Sequence, residues 1–197
     1  TDYYLIIMYR NLLKTINNRR ALFDVKCSRS LIDELDKLNI EKTMYRTGNS
    51  YINMKMQEGN YLFGGEYSGH IYFRDRFPGF DDGIYAGLRM LELLSNNNST
   101  IDKELEGINR YFSTEEIKVN SDDVKKFEIV EKVKEYCKSR NYNINETDGV
   151  RVEFDDSWAL IRVSNTTPCL TLRFEAKTET RLNEIKEEFM NFINSVL

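Results

Sequence analysis

One stretch of seven residues, Gly64-Gly65-Glu66-Tyr67-Ser68-Gly69-His70, sets a carboxylate, a hydroxyl and the chain's only imidazole within five positions. Glycines on either side allow positive φ and close approach of the backbone. A carboxylate accepts two hydrogen bonds, and a serine hydroxyl both donates and accepts, so Glu66 and Ser68 suit the paired hydroxyls of a polar ligand. The same residues also make a tight turn between strands whose polar groups satisfy one another, with His70 an ordinary histidine at a strand start.

A second segment is Arg162-Val163-Ser164-Asn165-Thr166-Thr167-Pro168. Arginine supplies a planar fork of donors, Ser164 and Thr166 supply hydroxyls, and an irregular turn leaves backbone N–H groups to point at an oxyanion. Together these meet the needs of a phosphate monoester. An Asx or Ser/Thr turn bonded to its own backbone and closed by Pro168 uses the same residues. Lys26 follows an apolar strand and so stands at its C-terminal end, where ligands of α/β sheets bind. The turn Arg46-Thr47-Gly48-Asn49-Ser50 can line the same edge.

These segments must be held by regular elements, and hydrophobic periodicity supplies them. Leu5, Tyr9, Leu12, Leu13 and Ile16 share a helical face behind a candidate cap at Asp2. A strand over 21–25 leads to a helix marked by Leu31, Ile32, Leu35 and Leu38, which Ser28 or Ser30 can cap. A strand over 43–45, a short helix over 51–56 and a strand over 61–63 follow, the last interrupted by Gly64 and Gly65. After a strand over 71–73, Asp81 or Asp82 can cap a helix whose expected inner face is Ile84, Leu88, Leu91 and Leu94. An Asn-rich stretch over 95–100 breaks the pattern, and a short helix over 101–108 leads to a domain boundary near Asn109.

The remainder changes character. A strand over 116–119 and a long helix over 122–139 precede strands over 150–154, 158–163 and 169–176, and a helix over 180–196 closes the chain. Asp155-Asp156-Ser157 is a strong hairpin signal, so the pairing should be antiparallel. The expected architecture is an α/β mixed-sheet domain over 1–109, followed by a small α+β domain over 110–197 with an antiparallel sheet and two helices.

Composition narrows the classes of function. With 197 residues, 41% hydrophobic and 30% charged, and only 2 prolines, the chain belongs with folded globular proteins. A net charge of −4 argues against nucleic acid as a partner, since phosphate backbones are gripped by excess Lys and Arg. No apolar run approaches the ~20 residues that span a bilayer. Neither a membrane nor a secretory route is indicated, and a cytoplasmic protein is expected. Cys27, Cys137 and Cys169 lie far apart among apolar neighbours without metal-ligand spacing and read as reduced core thiols. A start at Thr1, with helix following almost at once, reads as a chain entered midway.

Taken in order, these segments resemble the alpha-D-phosphohexomutases, over nearly the whole chain. Phe23-Asp24-Val25-Lys26-Cys27-Ser28 looks like the family's DVKCS/T strand end, residues 65–70 like its GE-x-SGH sugar-recognition loop, residues 81–86 like its DDGIY helix start, and residues 162–168 like its RxSNTxP phosphate loop. The DDGIY and SNTTP runs lean towards the phosphomannomutase/phosphoglucomutase branch. Tyr67 departs from the residue usual in either that branch or the phosphoglucosamine mutases.

The resemblance implies the third and fourth of four domains. The phosphorylatable serine and the Mg-binding aspartate loop would belong to the two preceding domains, so no metal is expected in this chain, and this chain alone should not turn over. In the intact enzyme the phosphoserine would donate its phosphoryl group to a hexose 1- or 6-phosphate, of mannose or glucose. The resulting bisphosphate would reorient and return one phosphoryl. Glu66 and Ser68 would hold sugar hydroxyls common to both poses, and Arg162, Ser164, Asn165 and Thr166 would hold the phosphate that is not reacting. Lys26 and His70 would line the cleft near the reaction centre in supporting catalytic roles. Asn49 stands where the family commonly has histidine, and an amide cannot act as a general acid or base near neutral pH. The implied partners are hexose phosphates and the N-terminal half of the same enzyme. The alternatives are a phosphoglucosamine mutase and a non-catalytic phosphosugar-binding module.

Overall fold

The computed structural model describes residues 1 to 197, which form two compact units, Thr1–Asn109 and Arg110–Leu197. The first runs α1 (Asp2–Leu12), β1 (Arg20–Asp24), α2 (Arg29–Lys37), β2 (Glu41–Tyr45), α3 (Asn49–Glu58), β3 (Phe63–Gly65), β4 (Ile71–Phe73), α4 (Gly83–Asn97) and α5 (Ile101–Glu104). Its sheet has the order β2-β1-β3-β4. The first three strands run parallel, and β4 is antiparallel to β3.

Helix α1 is apolar nearly all round, with Leu5, Ile6, Ile7, Met8 and Tyr9 all buried, which is how a helix enclosed by its neighbours reads. Each such side chain contributes roughly 1.5–3 kcal/mol of burial. The Tyr9 hydroxyl ties two strands together. It donates to Phe63 O at 3.0 Å and accepts from Leu22 N at 3.2 Å. Ser28 caps α2, its Oγ accepting from Ser30 N at 3.0 Å. Asp2 is not the cap of α1 but its first helical residue, and its Oδ1 accepts from Ser28 N at 2.8 Å.

Two further expectations need correction. Gly64 and Gly65 do not interrupt a strand; they are most of β3. A Cβ at Gly64 would lie 2.8 Å from Leu22 O, and one at Gly65 would lie 2.8 Å from Leu5 Cδ2, so bare backbone is what lets β1, β3 and α1 approach. The inner face of α4 is also different. Ile84, Leu88 and Leu91 point outward at 80%, 58% and 65% exposure, while Tyr85, Ala86, Arg89, Met90 and Leu93 face the core. The buried charge decides the face. Arg89 forms a bidentate pair with Asp75 at 2.8 Å for both bonds and lies 4.4 Å from the Phe73 ring, an arrangement that only one rotation of the helix permits.

The second unit runs β5 (Phe112–Ser113), β6 (Ile117–Asn120), α6 (Lys125–Ser139), β7 (Asn143–Asn145), β8 (Val150–Glu153), β9 (Ser157–Val163), β10 (Cys169–Ala176) and α7 (Glu179–Val196). Its sheet is antiparallel in the order β5-β10-β9-β8-β7, with β6 also on β10. Alternation sorts the central strands. Val150, Val152, Ala159, Ile161, Leu170, Leu172 and Phe174 pack against the apolar sides of α6 and α7. Arg151, Trp158, Arg173 and Glu175 occupy the other face and are equally buried. The mixed α/β unit followed by an antiparallel α+β unit is the expected fold class, with two further short strands, β5 and β7, at its edges.

All three cysteines are buried and free, and burial pushes the Cys137 thiol up to about 12. No helix is long and apolar enough to cross a membrane.

Candidate functional site

Because β1, β2 and β3 are parallel, their C-terminal ends share one edge of the sheet, and three segments converge there: 24–28, 45–49 and 65–70. The shared partner is Asp24, which is completely buried. Its Oδ1 accepts from Tyr67 N at 3.0 Å and Cys27 Sγ at 3.2 Å, and its Oδ2 accepts from the Thr47 hydroxyl at 2.9 Å. Burial raises the Asp24 pKa, and the nearby charge of Lys26 pulls it back only in part.

Glu66 is buried directly after β3. Its Oε2 accepts from Gly48 N at 3.0 Å, and its Oε1 accepts from the Tyr72 hydroxyl at 3.1 Å. Burial raises its pKa, and the neighbouring Asp24 carboxyl raises it further. Residues 66–69 form a tight turn in which Gly69 N donates to Glu66 O at 3.0 Å and Gly69 takes φ +103°. This turn leaves Ser68 exposed at its tip. His70 follows, its Nδ1 2.6 Å from Asp81 Oδ2. Lys26 is buried with its Nζ 5.6 Å from the centre of the Tyr67 ring. Asn49 is the exposed first residue of α3. Lys26, Asn49, Glu66, Ser68 and His70 are thus gathered by one edge of one sheet.

In the second unit Arg162 is the penultimate residue of β9 and is 5% exposed. Its Nε donates to Asp148 Oδ2 at 2.9 Å, and its Nη2 is buried with no partner. The loop after it is anchored by Ser164. The Ser164 Oγ accepts from Thr166 N at 3.3 Å and Thr167 N at 3.2 Å, and it is 2.7 Å from the Thr167 hydroxyl. Asn165 and Thr166 are exposed. The segment is therefore a serine-stapled turn, with an unsatisfied guanidinium donor at its base. Lys126 braces it from α6, donating to Ser164 O at 3.2 Å and Thr167 O at 3.4 Å.

Several of these partners were not singled out from the sequence. Lys126 carried a signal, because it continues the buried helical stripe of Val130, Val133 and Cys137 and so faces inward. Asp81 and Asp82 are both candidate caps in the sequence, and Asp82 takes that role, accepting from Tyr85 N at 2.8 Å. Asp24 entered only as part of the motif over 23–28, and Tyr72 and Asp148 carried no signal, since their partners lie on other segments. No group of His, Cys, Asp and Glu side chains in the chain is arranged to hold a metal ion.

Gly149 lies beneath Arg162 at φ +76°. A Cβ there would sit 2.4 Å from Ile161 O and 2.7 Å from Arg162 Cα. Gly149→Ala is expected to cost at least about 1–3 kcal/mol from the left-handed backbone alone. Trp158 is the only tryptophan in the chain, so urea unfolding followed by its fluorescence reads this unit directly. A midpoint equal to wild type would show that the turn relaxes away from Arg162.

Fold and loop geometry together define two domains, an α/β unit with converging polar loops at one sheet edge and a smaller antiparallel α+β unit carrying a serine-stapled loop. Residues 1–111 match the model of the phosphoglucomutase/phosphomannomutase alpha/beta/alpha domain III, and residues 116–192 match that of the phosphoglucomutase/phosphomannomutase C-terminal domain. The chain belongs to the phosphoglucomutase/phosphomannomutase family. It is 38% identical over 195 residues to a phosphomannomutase/phosphoglucomutase of Pseudomonas aeruginosa, covering 99% of this chain and 42% of that protein. It is 35% identical over 196 residues to a phosphoglucomutase of Neisseria gonorrhoeae, covering 98% and 42%. A solved phosphoglucomutase/phosphomannomutase family protein from Burkholderia thailandensis superposes with a TM-score of 0.87 at 33% identity, covering 99% of this chain and 41% of that one. The chain thus spans about two fifths of the length of these relatives.

Proposed function

We propose that this chain is the substrate-binding C-terminal part of a phosphomannomutase/phosphoglucomutase, which interconverts hexose 1-phosphates and hexose 6-phosphates. The observation that carries the reading is the buried Arg162 Nη2, a charged donor without a protein partner at the base of the 164–167 loop. Leaving such a donor unpaired costs free energy, and a phosphate oxygen satisfies it. Arg162, Ser164, Asn165 and Thr166 hold the phosphate that is not reacting. Glu66 and Ser68 hold sugar hydroxyls, Glu66 being already oriented by Gly48 N and the Tyr72 hydroxyl. Lys26 offsets phosphoryl charge at the reacting end, and His70 moves the proton of the attacking or leaving hydroxyl. The phosphorylated serine and the magnesium ion belong to the preceding domains, so phosphoryl transfer needs the longer protein.

An amide titration of the ¹⁵N-labelled chain with glucose 1-phosphate, with inorganic phosphate as control, tests this. Shifts over 162–167 are expected with either ligand, and shifts over 65–70 with the sugar phosphate only. No movement of either loop by tens of millimolar ligand, roughly the weakest binding such a half-site could show, would sink the proposal that the grip is preformed. Arg162→Lys keeps the charge and loses the planar fork. It is expected to weaken phosphate binding about tenfold or more, with the fluorescence-monitored midpoint separating lost grip from lost fold.

A further inference from the structure

His70 is held in a way its role as a proton carrier does not by itself require. Its Nδ1 lies 2.6 Å from Asp81 Oδ2, while Asp81 Oδ1 accepts from Ile71 N at 2.9 Å. One carboxylate therefore engages the ring of one residue and the backbone of the next. The backbone on both sides is fixed as well. Glu66 N donates to His70 O at 2.9 Å, and Asp81 bridges to Tyr72 on β4. An ionised carboxylate only accepts hydrogen bonds, so a contact this short places the proton on Nδ1. In the neutral ring Nε2 is then a bare acceptor.

We propose that Asp81 is a positioning residue for His70: it selects the Nδ1–H tautomer and fixes the ring so that Nε2 is the nitrogen that takes a proton from a sugar hydroxyl. This rests on the proposed role of His70, but the tautomer is a property of this chain whatever its substrate. The Ile71 amide makes the consequence of substitution definite. In Asp81→Asn the side-chain oxygen stays with Ile71 N–H, the amide NH₂ turns towards Nδ1, and a ring nitrogen facing a donor must be bare. The proton moves to Nε2, and the acceptor for the substrate is lost.

His70 is the only histidine, so a long-range ¹H–¹⁵N spectrum of the histidine-labelled chain shows one ring. With the ring neutral, wild type is expected to show a protonated Nδ1 and a bare Nε2, and Asp81→Asn the reverse. A protonated Nε2 in wild type overturns the proposal without need of any variant, as does an unchanged tautomer in a folded Asp81→Asn chain. Loss of the glucose 1-phosphate response with the wild-type tautomer intact would instead count against the binding role and leave the dyad standing.

Discussion

In urea unfolding followed by far-UV circular dichroism, Trp158→Ala is expected to lose about 3–5 kcal/mol from the second unit. The indole is completely buried. Its ring centre lies 3.9 Å from the Arg151 guanidinium and 5.4 Å from that of Arg173, one from each neighbouring strand, and its Nε1 donates to Glu175 Oε1 at 2.8 Å. Truncation opens a cavity beside two buried cations and removes the π-face that faces them. It also takes a donor from a buried carboxylate. Trp158→Phe separates these effects, keeping most of the ring and losing the N–H, with an expected cost of about 1–3 kcal/mol. If alanine costs no more than phenylalanine, the ring volume matters less than the single hydrogen bond, and the cavity argument fails.

Asp24→Ala should be as damaging to the first unit, and its effect should reach the ligand. Three donors on three segments lose their acceptor, each at about 1–3 kcal/mol if left unsatisfied, and residues 65–70 lose their tie to the sheet edge. The glucose 1-phosphate shifts over 65–70 should vanish. Asp24→Asn keeps one acceptor oxygen, and the Thr47 hydroxyl can turn to accept from the new amide, so the loss should be far smaller.

The pH dependence of that pair has a definite sign. Burial raises the folded-state pKa of Asp24 above its unfolded value near 4. Between those two values the folded state binds more protons than the unfolded one. The contribution of Asp24 is therefore fully present below the unfolded pKa and is lost as pH rises through the folded one. Asp24→Asn, which cannot titrate, should gain stability relative to wild type as pH rises across that window. Urea midpoints for both proteins at several pH values measure this. A relative loss over the same range would show that Lys26 stabilises the carboxylate more than burial opposes it.

What the sequence disclosed follows the range of the interactions involved. Helices α2, α6 and α7 and strands β8 to β10 were legible, because their patterns repeat within a few residues and Asp155-Asp156-Ser157 marks the turn. The face of α4 was not. Ile84, Leu88 and Leu91 form one apolar stripe and Tyr85, Ala86, Met90 and Leu93 another, and the choice between them lies with the pairing of Arg89 and Asp75. Strands β5 and β7 are too short and too exposed to leave a pattern. The loops over 65–70 and 162–168 stood out by residue type, and the resemblance sharpened them. Tyr72 and Asp148 did not stand out, and Asp24 and Asp81 did so only within motifs or as a cap and not as supports, since nothing local marks a carboxylate or a phenol whose partner is set by the topology of the sheet.

The donors that meet at Asp24 come from residues 27, 47 and 67. Two of those contacts close long stretches of chain, and the parallel pairing that brings them together is itself non-local, the kind of contact that forms late because loop entropy must be met first. This edge of the sheet should therefore have no half-built form. A nascent first unit carrying only β1 and β2 offers Asp24 and Thr47 but no loop to seat, and competence for ligand should arrive in a single step with the docking of β3. Refolding traces that follow ligand binding should accordingly lag behind those that follow helix content.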